Sequence, residues 1–212
     1  MSDTVPVKLP QRVIAYVDGF NLYYGLKSKG WRRYYWLDLP ALCSNLLQDN
    51  QQLLLTKYFT ARVSSPADTR KRQSDYLEAL QTRQNLEIFF GQYLPKTQHC
   101  RACGTNNFSA EEKMTDVNIA VQILCDAFQN RFDTALILSA DSDLVPPIQA
   151  VKTLFPNKRV LVGFPPHRSS KELMNIASAY FTLGRAKIAQ SQLPDSISKT
   201  DGVLLSRPNS WR

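Results

Sequence analysis

The chain of 212 residues is 43% hydrophobic and 21% charged, a composition that supplies a core and excludes wholesale disorder. Its 26 lysines and arginines outnumber 18 aspartates and glutamates, and the net charge of +8 favours nucleic acid over a membrane as partner, although charge also keeps a protein soluble. No apolar run approaches the ~18 residues of a membrane span and no secretory signal is visible, so we expect a cytoplasmic protein whose four cysteines form no disulfide framework.

Predicted strands and helices alternate along the chain. Short apolar runs rich in β-branched and aromatic residues predict strands at 12–17, 53–59, 86–90, 134–138, 159–162 and 180–183. Helical spacing and cap residues predict helices at about 20–30, 37–47, 67–84, 115–128, from 146 and at 171–177. Residues 94–113 show neither pattern and are expected to be irregular. In the 115–128 helix we expect Val117, Ala120, Val121 and Leu124 to form the core stripe.

Continuously apolar strands that alternate with helices indicate a parallel sheet covered on both faces. The expected fold class is therefore α/β, with three layers in one domain over residues 11–187, preceded by an N-terminal extension at 1–10. From about residue 190, serine, proline, aspartate and lysine dominate and periodicity is lost. This composition predicts a disordered or loosely attached tail over residues 188–212.

Acidic residues follow two of the predicted strands. Asp18 ends the first strand, Asp141 and Asp143 follow the 134–138 strand, and Asp116 lies in the first turn of a helix. The carboxyl ends of parallel strands meet at one edge of a sheet, so these side chains are candidates for one pocket. Crowded carboxylates need a cation, and oxygen ligands suit Mg²⁺ or Mn²⁺, which can activate water against a phosphodiester. Taken singly, each acid is equally explained as a turn residue or a helix cap.

Three polar residues accompany these acids. Asn21 can orient a carboxylate through its amide, or it is a simple helix-start residue. Ser139 can contact a phosphate or a carboxylate, or belong to a local turn. Lys113 precedes Asp116 and can meet a phosphate, or it is an exposed loop lysine.

The run of aromatic and basic residues at 31–36 is the strongest candidate for substrate contact. Its arginines, Arg32 and Arg33, can meet phosphates while its rings stack on the bases of single-stranded RNA. The alternative is that the rings are core and the arginines are solvated, and the sequence favours neither.

A CxxC pair preceded by histidine lies within the irregular segment. His99, Cys100 and Cys103 have the spacing of half a structural zinc site. A second half is missing from the sequence, so an unligated or redox-active pair is the alternative.

Three segments together resemble the NYN domain of the PIN-like nuclease superfamily, with closest similarity to its LabA-like group. They are VIAYVDGFNLYYGL at 13–26, EKMTDVNIAVQIL at 112–124 and TALILSADSDLVPPIQAV at 134–151. The resemblance implies a Rossmann-like (PIN-like) fold and a metal-dependent ribonuclease. It implies that Asp18, Asp116, Asp141 and Asp143 bind the metal, with Asn21 as the accompanying polar residue of the first motif.

The expected function is thus hydrolysis of RNA by a carboxylate-bound Mg²⁺ or Mn²⁺ ion, with the oligomeric state, including a homodimer, left open. The alternative is a non-catalytic RNA-binding or regulatory module that keeps the fold. Ala140 favours that alternative, because the family usually has glycine there, giving SGDSD where this chain has SADSD. A dinucleotide-binding enzyme is poorly supported, since no GxGxxG follows the first strand.

Overall fold

A computed structural model describes residues 9–99, 103, 105–199 and 201–212. The strands are β1 Gln11–Asp18, β2 Gln51–Thr60, β3 Leu86–Phe90, β4 Gln92–His99, β5 Asn106–Lys113, β6 Thr134–Leu138, β7 Arg159–Phe164, β8 Ala179–Thr182, β9 Ser196–Ser198 and β10 Leu204–Ser206. The helices are α1 Gly19–Ser28, α2 Leu39–Asn45, α3 Ala67–Gln81, α4 Thr115–Phe128, α5 Val145–Leu154, α6 Lys171–Ile176 and α7 Arg185–Gln190, with 3-10 turns at Arg32–Tyr34, Ser142–Leu144 and Asn209–Trp211.

Six strands form a parallel central sheet in the order β3-β2-β1-β6-β7-β8. The chain builds β2 and β3 on one side of β1 and then crosses to build β6, β7 and β8 on the other. The strand order therefore reverses between β1 and β6, and ligands of open α/β sheets bind in the crevice beyond the strand ends at such a point.

Alternation along β1 divides the core into two layers. Val13, Ala15 and Val17 pack with residues of α1, α2 and α3, whereas Ile14 and Tyr16 pack with residues of α4, α5 and α6. Successive side chains of a strand point to opposite faces, so β1, apolar at five consecutive positions, is buried from both sides. The predicted three-layer α/β fold with a mainly parallel sheet is confirmed.

The buried stripe of α4 differs from the one predicted. Ile119 and Ile123 are fully buried, whereas Val117 and Val121 are 64% and 49% exposed. Both sets have helical spacing, so periodicity alone does not distinguish them. The contacts of α4 with the sheet select the isoleucine face.

Two further segments differ from expectation. Residues 94–113, expected to be irregular, contain most of an antiparallel pair in which β4 aligns with β5, Gln92 opposite Lys113 and His99 opposite Asn106. The predicted disordered tail, residues 188–212, contains the end of α7, the β9–β10 hairpin and a 3-10 turn that ends in buried Trp211. Both segments are rich in polar residues, so neither shows the apolar pattern by which strands and helices are predicted. The β4–β5 pair forms a separate two-stranded sheet, and the tail is attached through a few apolar residues.

The segment after α7 is tied to the chain between α1 and α2. Leu193 donates its backbone N–H to the Trp36 carbonyl at 3.0 Å, and the Trp36 indole N–H donates to the Pro194 carbonyl at 2.7 Å. Trp211 packs on Trp36 and Tyr76 with ring centroids about 6 Å apart, at 6.3 and 6.0 Å. These contacts join residues that are far apart in the chain, so the local composition of the tail could not predict that it is ordered.

Within the described part of the chain, no helix combines the length and apolar character needed to cross a bilayer.

Candidate active site

Asp18 is both the last residue of β1 and the N-cap of α1. Its Oδ1 accepts from the Asn21 backbone N–H at 2.9 Å, and its Oδ2 accepts from the Asn21 side-chain Nδ2 at 2.6 Å. The residue is 1% exposed. Gly19 permits this junction, because a Cβ there would lie 2.7 Å from the Phe59 carbonyl oxygen of β2. The cap holds the Asp18 carboxylate at the edge of the sheet.

Ser139 links the ends of β1 and β6. Val17 aligns with Leu138 in these parallel strands, so Asp18 and Ser139 follow side by side. The Ser139 hydroxyl donates to Asp18 Oδ2 at 2.8 Å and accepts from the Asp141 backbone N–H at 3.0 Å. Ser139 is completely buried. Of the roles that the sequence offered for Ser139, the structure shows the contact with a carboxylate: the hydroxyl positions Asp18. A contact with substrate stays a prediction.

Burial raises the pKa of the Asp18 carboxyl above its ordinary value of 3.8. The hydrogen bonds from Asn21 and Ser139 act in the opposite direction, because they stabilise the ionised form, and the negative charge of Asp141 raises the pKa further. A buried carboxylate with a raised pKa at a topological switch point is a typical feature of functional sites.

Asp141 caps the 3-10 turn that follows β6. Its Oδ1 accepts from the Asp143 backbone N–H at 3.0 Å, and its side chain is half-buried, whereas Asp143 is exposed. The preceding residue, Ala140, donates its N–H to Asn21 Oδ1 at 3.3 Å. Ala140 is not among the described non-glycine residues with positive φ, so alanine is accommodated here without backbone strain.

Asp116 occupies the first turn of α4 and is half-buried. The start of this helix lies at the same sheet edge, because Asn118 Nδ2 contacts the Phe90 carbonyl, at the end of β3, at 3.5 Å. Lys113 ends β5 two residues before the helix and is exposed. The structure therefore places both residues at the edge that contains Asp18.

The four acids do not form one ready-made ligand set. Over the described ranges, no three His, Cys, Asp or Glu side chains come together in a group that could hold a metal ion. Asp18 and Asp141 are neighbours, but each uses oxygens to cap backbone N–H groups, and Asp143 is exposed. The expectation that four carboxylates converge is thus corrected to one neighbouring pair. Such a pair fits Mg²⁺, which commonly takes one or two carboxylates together with water and phosphate oxygens.

Arg32 and Arg33 are adjacent exposed residues with different surroundings. Arg32 lines a cavity of about 590 Å³ between α1 and α3. Arg33 lies over the Tyr34 ring at 5.7 Å and does not line the cavity. We call this space the aromatic cavity; its wall includes Phe20, Tyr23, Tyr35, Tyr58, Tyr76, Tyr93 and Trp211. Sequence reasoning missed Tyr58, Tyr93 and Trp211, which are distant from the 31–36 run along the chain and give no local signal.

The proposed zinc half-site lies largely outside what the structure describes. Cys100 and the His99 side chain are outside the described residues, and Cys103 is exposed, its Sγ donating to Thr105 Oγ1 at 3.4 Å. Cys43 is buried and Cys125 exposed on α4. The zinc hypothesis therefore stays a prediction.

Comparison with known proteins gives a family match. The family model of the NYN domain matches residues 12–184. A protein named 6-hydroxy-3-succinoylpyridine 3-monooxygenase HspA, from Pseudomonas putida (strain DSM 28022 / S16), is 30% identical over 242 aligned positions that cover 95% of this chain and 76% of the relative.

Among solved structures, a protein of unknown function, VPA0982 from Vibrio parahaemolyticus RIMD 2210633, has a similar fold. The TM-score is 0.57 at 15% sequence identity, and the match covers 89% of this chain and 100% of that one. At this identity the similarity concerns the fold alone.

Proposed function

This chain belongs to the NYN domain family of the PIN-like nuclease superfamily, and from that membership we propose that it is a metal-dependent ribonuclease, acting as an endonuclease. The main support is the buried carboxylate of Asp18 beside Asp141 at the β1–β6 switch point. A raised carboxyl pKa next to a second carboxylate is the electrostatic environment in which a divalent cation is favoured.

Asp18 and Asp141 would hold Mg²⁺ or Mn²⁺, with Asp116 and Asp143 placed at the same edge to bind its outer waters. When bound, the ion lowers the pKa of a water molecule and stabilises the negative charge that develops on the phosphate. The protein's own contribution is orientation. Asn21 and Ser139 fix the Asp18 carboxylate through hydrogen bonds of 2.6 to 2.9 Å.

Asp141 Oδ2 is the oxygen through which Asp141 would hold the ion. Asp141 Oδ1 is occupied by the Asp143 N–H, whereas Oδ2 meets no donor in the described part of the structure. In the proposed hydrolysis, water would attack phosphorus in line as the bond to the leaving oxygen breaks; the proton of the attacking water would pass to solvent, and the leaving oxygen would take a proton from solvent. The net charge of +8 favours binding of the RNA backbone.

Cleavage of a fluorescently labelled single-stranded RNA, with and without EDTA, tests this proposal. We expect cleavage in Mg²⁺ or Mn²⁺ and a loss of about 100-fold or more in Asp18→Asn and Asp141→Asn, since each change removes a charged group from the site. The matched control is Asp49→Asn, which alters an exposed aspartate in the loop before β2. Undiminished cleavage by an Asp18→Asn, Asp141→Asn double variant would overturn the assignment.

The non-catalytic alternative makes the opposite prediction: RNA binding that persists in EDTA while no RNA is cut. The sequence feature that favoured this alternative is Ala140, which stands where the family usually has glycine. Since the Ala140 backbone adopts no positive φ and still donates to Asn21, alanine gives no structural reason for inactivity.

A second candidate function is oxidation of a small aromatic compound. The relative that is 30% identical is named for monooxygenation of a substituted pyridine, and the aromatic cavity has the concave, ring-lined character of a small-molecule site. Consumption of O₂ with a pyridine carboxylate and a two-electron donor would support this candidate. An unchanged rate upon addition of the aromatic compound would exclude it for that compound.

A further inference from the structure

The aromatic cavity adjoins the acidic pair. Its wall includes Gly19, the residue after Asp18, and continues along α1 to Lys27. The opposite wall comes from α3 and the end of β2, and Trp211 contributes from the C-terminal segment. A volume of about 590 Å³ falls within the ~300–1,000 Å³ range of ligand pockets.

The rings of the cavity support one another. Tyr23 lies 5.1 Å from Tyr35, Tyr35 lies 5.7 Å from Trp211, and Phe20 lies 5.9 Å from Tyr93, between ring centroids. Rings held by such contacts lose little freedom when a ligand stacks on them. The wall is thus suited to bind a flat aromatic group.

The charged residues of the wall all have one sign. Lys27, Arg32 and Arg72 line the cavity, and no aspartate or glutamate does among the lining residues described. Lys27 lies 5.9 Å from the Tyr23 ring centroid, and Arg72 donates to Thr69 Oγ1 at 3.0 Å. These cations have no acid beside them in the wall, so an anionic ligand would supply the opposite charge.

We propose that the aromatic cavity binds a planar aromatic ring that carries an anionic group. On the ribonuclease function proposed above, the ligand is one nucleotide of a single-stranded RNA, whose base stacks on the rings while its phosphate meets Arg32 or Arg72. A free aromatic carboxylate has the same chemistry and is the second source. The nucleotide source places a base-binding subsite within one residue of Asp18 and explains how an RNA chain is held beside the acidic pair.

Isothermal titration calorimetry on the full chain in EDTA tests the proposal with three probes: uridine 5′-monophosphate, adenosine 5′-monophosphate and nicotinate. We expect saturable binding that weakens about tenfold in Arg32→Gln and in Arg72→Gln, which remove cations of the wall. Tyr23→Leu, which keeps apolar bulk but removes a stacking ring, is expected to weaken nucleotide binding about tenfold as well.

Matched controls alter neighbours that do not line the cavity. Arg70→Gln, Lys71→Gln and Tyr180→Leu change exposed residues at positions outside the wall, and we expect binding within about twofold of the unmodified protein. Circular dichroism of each variant checks that its fold is retained.

Binding of the nucleotides identifies RNA as the source, and binding of nicotinate alone identifies a free aromatic acid and overturns the nucleotide assignment. No binding of any probe, or equal losses in lining and control variants, overturns the proposal. Because binding is measured without metal, its failure is distinct from a failure of the nuclease proposal, which is measured by cleavage.

Discussion

The Asp18 side chain has a structural role in the helix cap and is also part of the candidate active site. It caps α1 and sits at the switch point of the sheet, and it is buried to 1% exposure with Asp141 as neighbour. Ionising such a group costs free energy, which a protein tolerates where the charge is used. The sequence offered a local structural role and a metal-binding role for this aspartate. The structure shows the helix cap, and metal binding stays a proposal.

The raised pKa of Asp18 predicts how stability depends on pH. The protonated form is favoured in the folded state, so this stabilising contribution is fully present below the ordinary pKa of 3.8 and is lost as pH rises through the folded pKa. We expect the free energy of unfolding to fall with rising pH more steeply in the unmodified protein than in Asp18→Asn. Urea denaturation from about pH 4 to about pH 8 measures both slopes.

The exposed Asp49→Asn variant is the control, and its slope should match that of the unmodified protein. Millimolar Mg²⁺ or Mn²⁺ is expected to restore stability above the folded pKa of Asp18, because an ion that binds only the folded state stabilises it. Parallel curves for Asp18→Asn and the unmodified protein would contradict the raised pKa. A metal effect that survives in the variant would contradict the role of Asp18.

At the scale of elements, α4 is attached to the sheet by charge as well as by apolar packing. The buried ammonium of Lys57 on β2 lies 2.7 Å from Asp126 Oδ2 on α4, and both side chains are 1% exposed. The Tyr16 hydroxyl of β1 donates to the same oxygen at 2.7 Å. Arg131 contacts the other oxygen at 3.0 Å. This network fixes the rotation of α4, so the isoleucine face rather than Val117 and Val121 meets the sheet.

Breaking the pair is expected to be costly. Asp126→Asn keeps an acceptor for Tyr16 but leaves Lys57 without its close counter-charge, and we expect a loss of ~3–5 kcal/mol in the free energy of unfolding. Adding Lys57→Met removes the buried cation and should recover part of that loss. Chemical denaturation of the single and double variants gives the coupling energy between the two residues.

The exposed pair Lys71–Asp75 on α3 serves as the comparison. Its nitrogen and oxygen lie 3.1 Å apart, but Lys71 is largely solvated, so Asp75→Asn should cost at most about 0.5 kcal/mol. Equal losses of unfolding free energy in Asp126→Asn and Asp75→Asn would show that burial does not determine how much an ion pair stabilises this protein.

At the scale of the whole molecule, the C-terminal segment closes one face of the domain. Trp211 is mostly buried against Trp36 and Tyr76 and also lines the aromatic cavity. The end of the chain therefore contributes to the core and to the proposed ligand site at once.

We expect Trp211→Ala to destabilise the protein by about 3 kcal/mol, since a large ring is removed from a packed site. Deletion of residues 191–212 should destabilise it further, because the backbone hydrogen bond from Leu193 to Trp36 is lost as well. Thermal unfolding and urea denaturation measure both changes. Arg212→Ala, one residue beyond, is the control for the substitution, and a deletion without effect would restore the domain end predicted at residue 187.

The local pattern of apolar and polar residues was sufficient to predict most strands of the central sheet and several helices. The predicted bounds 115–128 and 134–138 coincide with α4 and β6, because each has a clear periodicity and a clear end signal. The β4–β5 pair was missed, because its strands are rich in polar residues and form a separate two-stranded sheet. Of the site, the positions of Asp18 and Asp141 after predicted strands, and of Asn21 in the first turn of a helix, followed from the sequence.

The sequence by itself determined the α/β class, the family and the acidic strand ends, because these depend on residues close together along the chain. Only the tertiary structure decided that Ser139 is a buried support for Asp18 and that Trp211 belongs to the core. It also decided that Asp18 and Asp141 are neighbours, with no third acid grouped with them among the residues that the structure describes. Those facts depend on the register of parallel strands and on contacts between residues that are far apart in the chain, which no local pattern specifies.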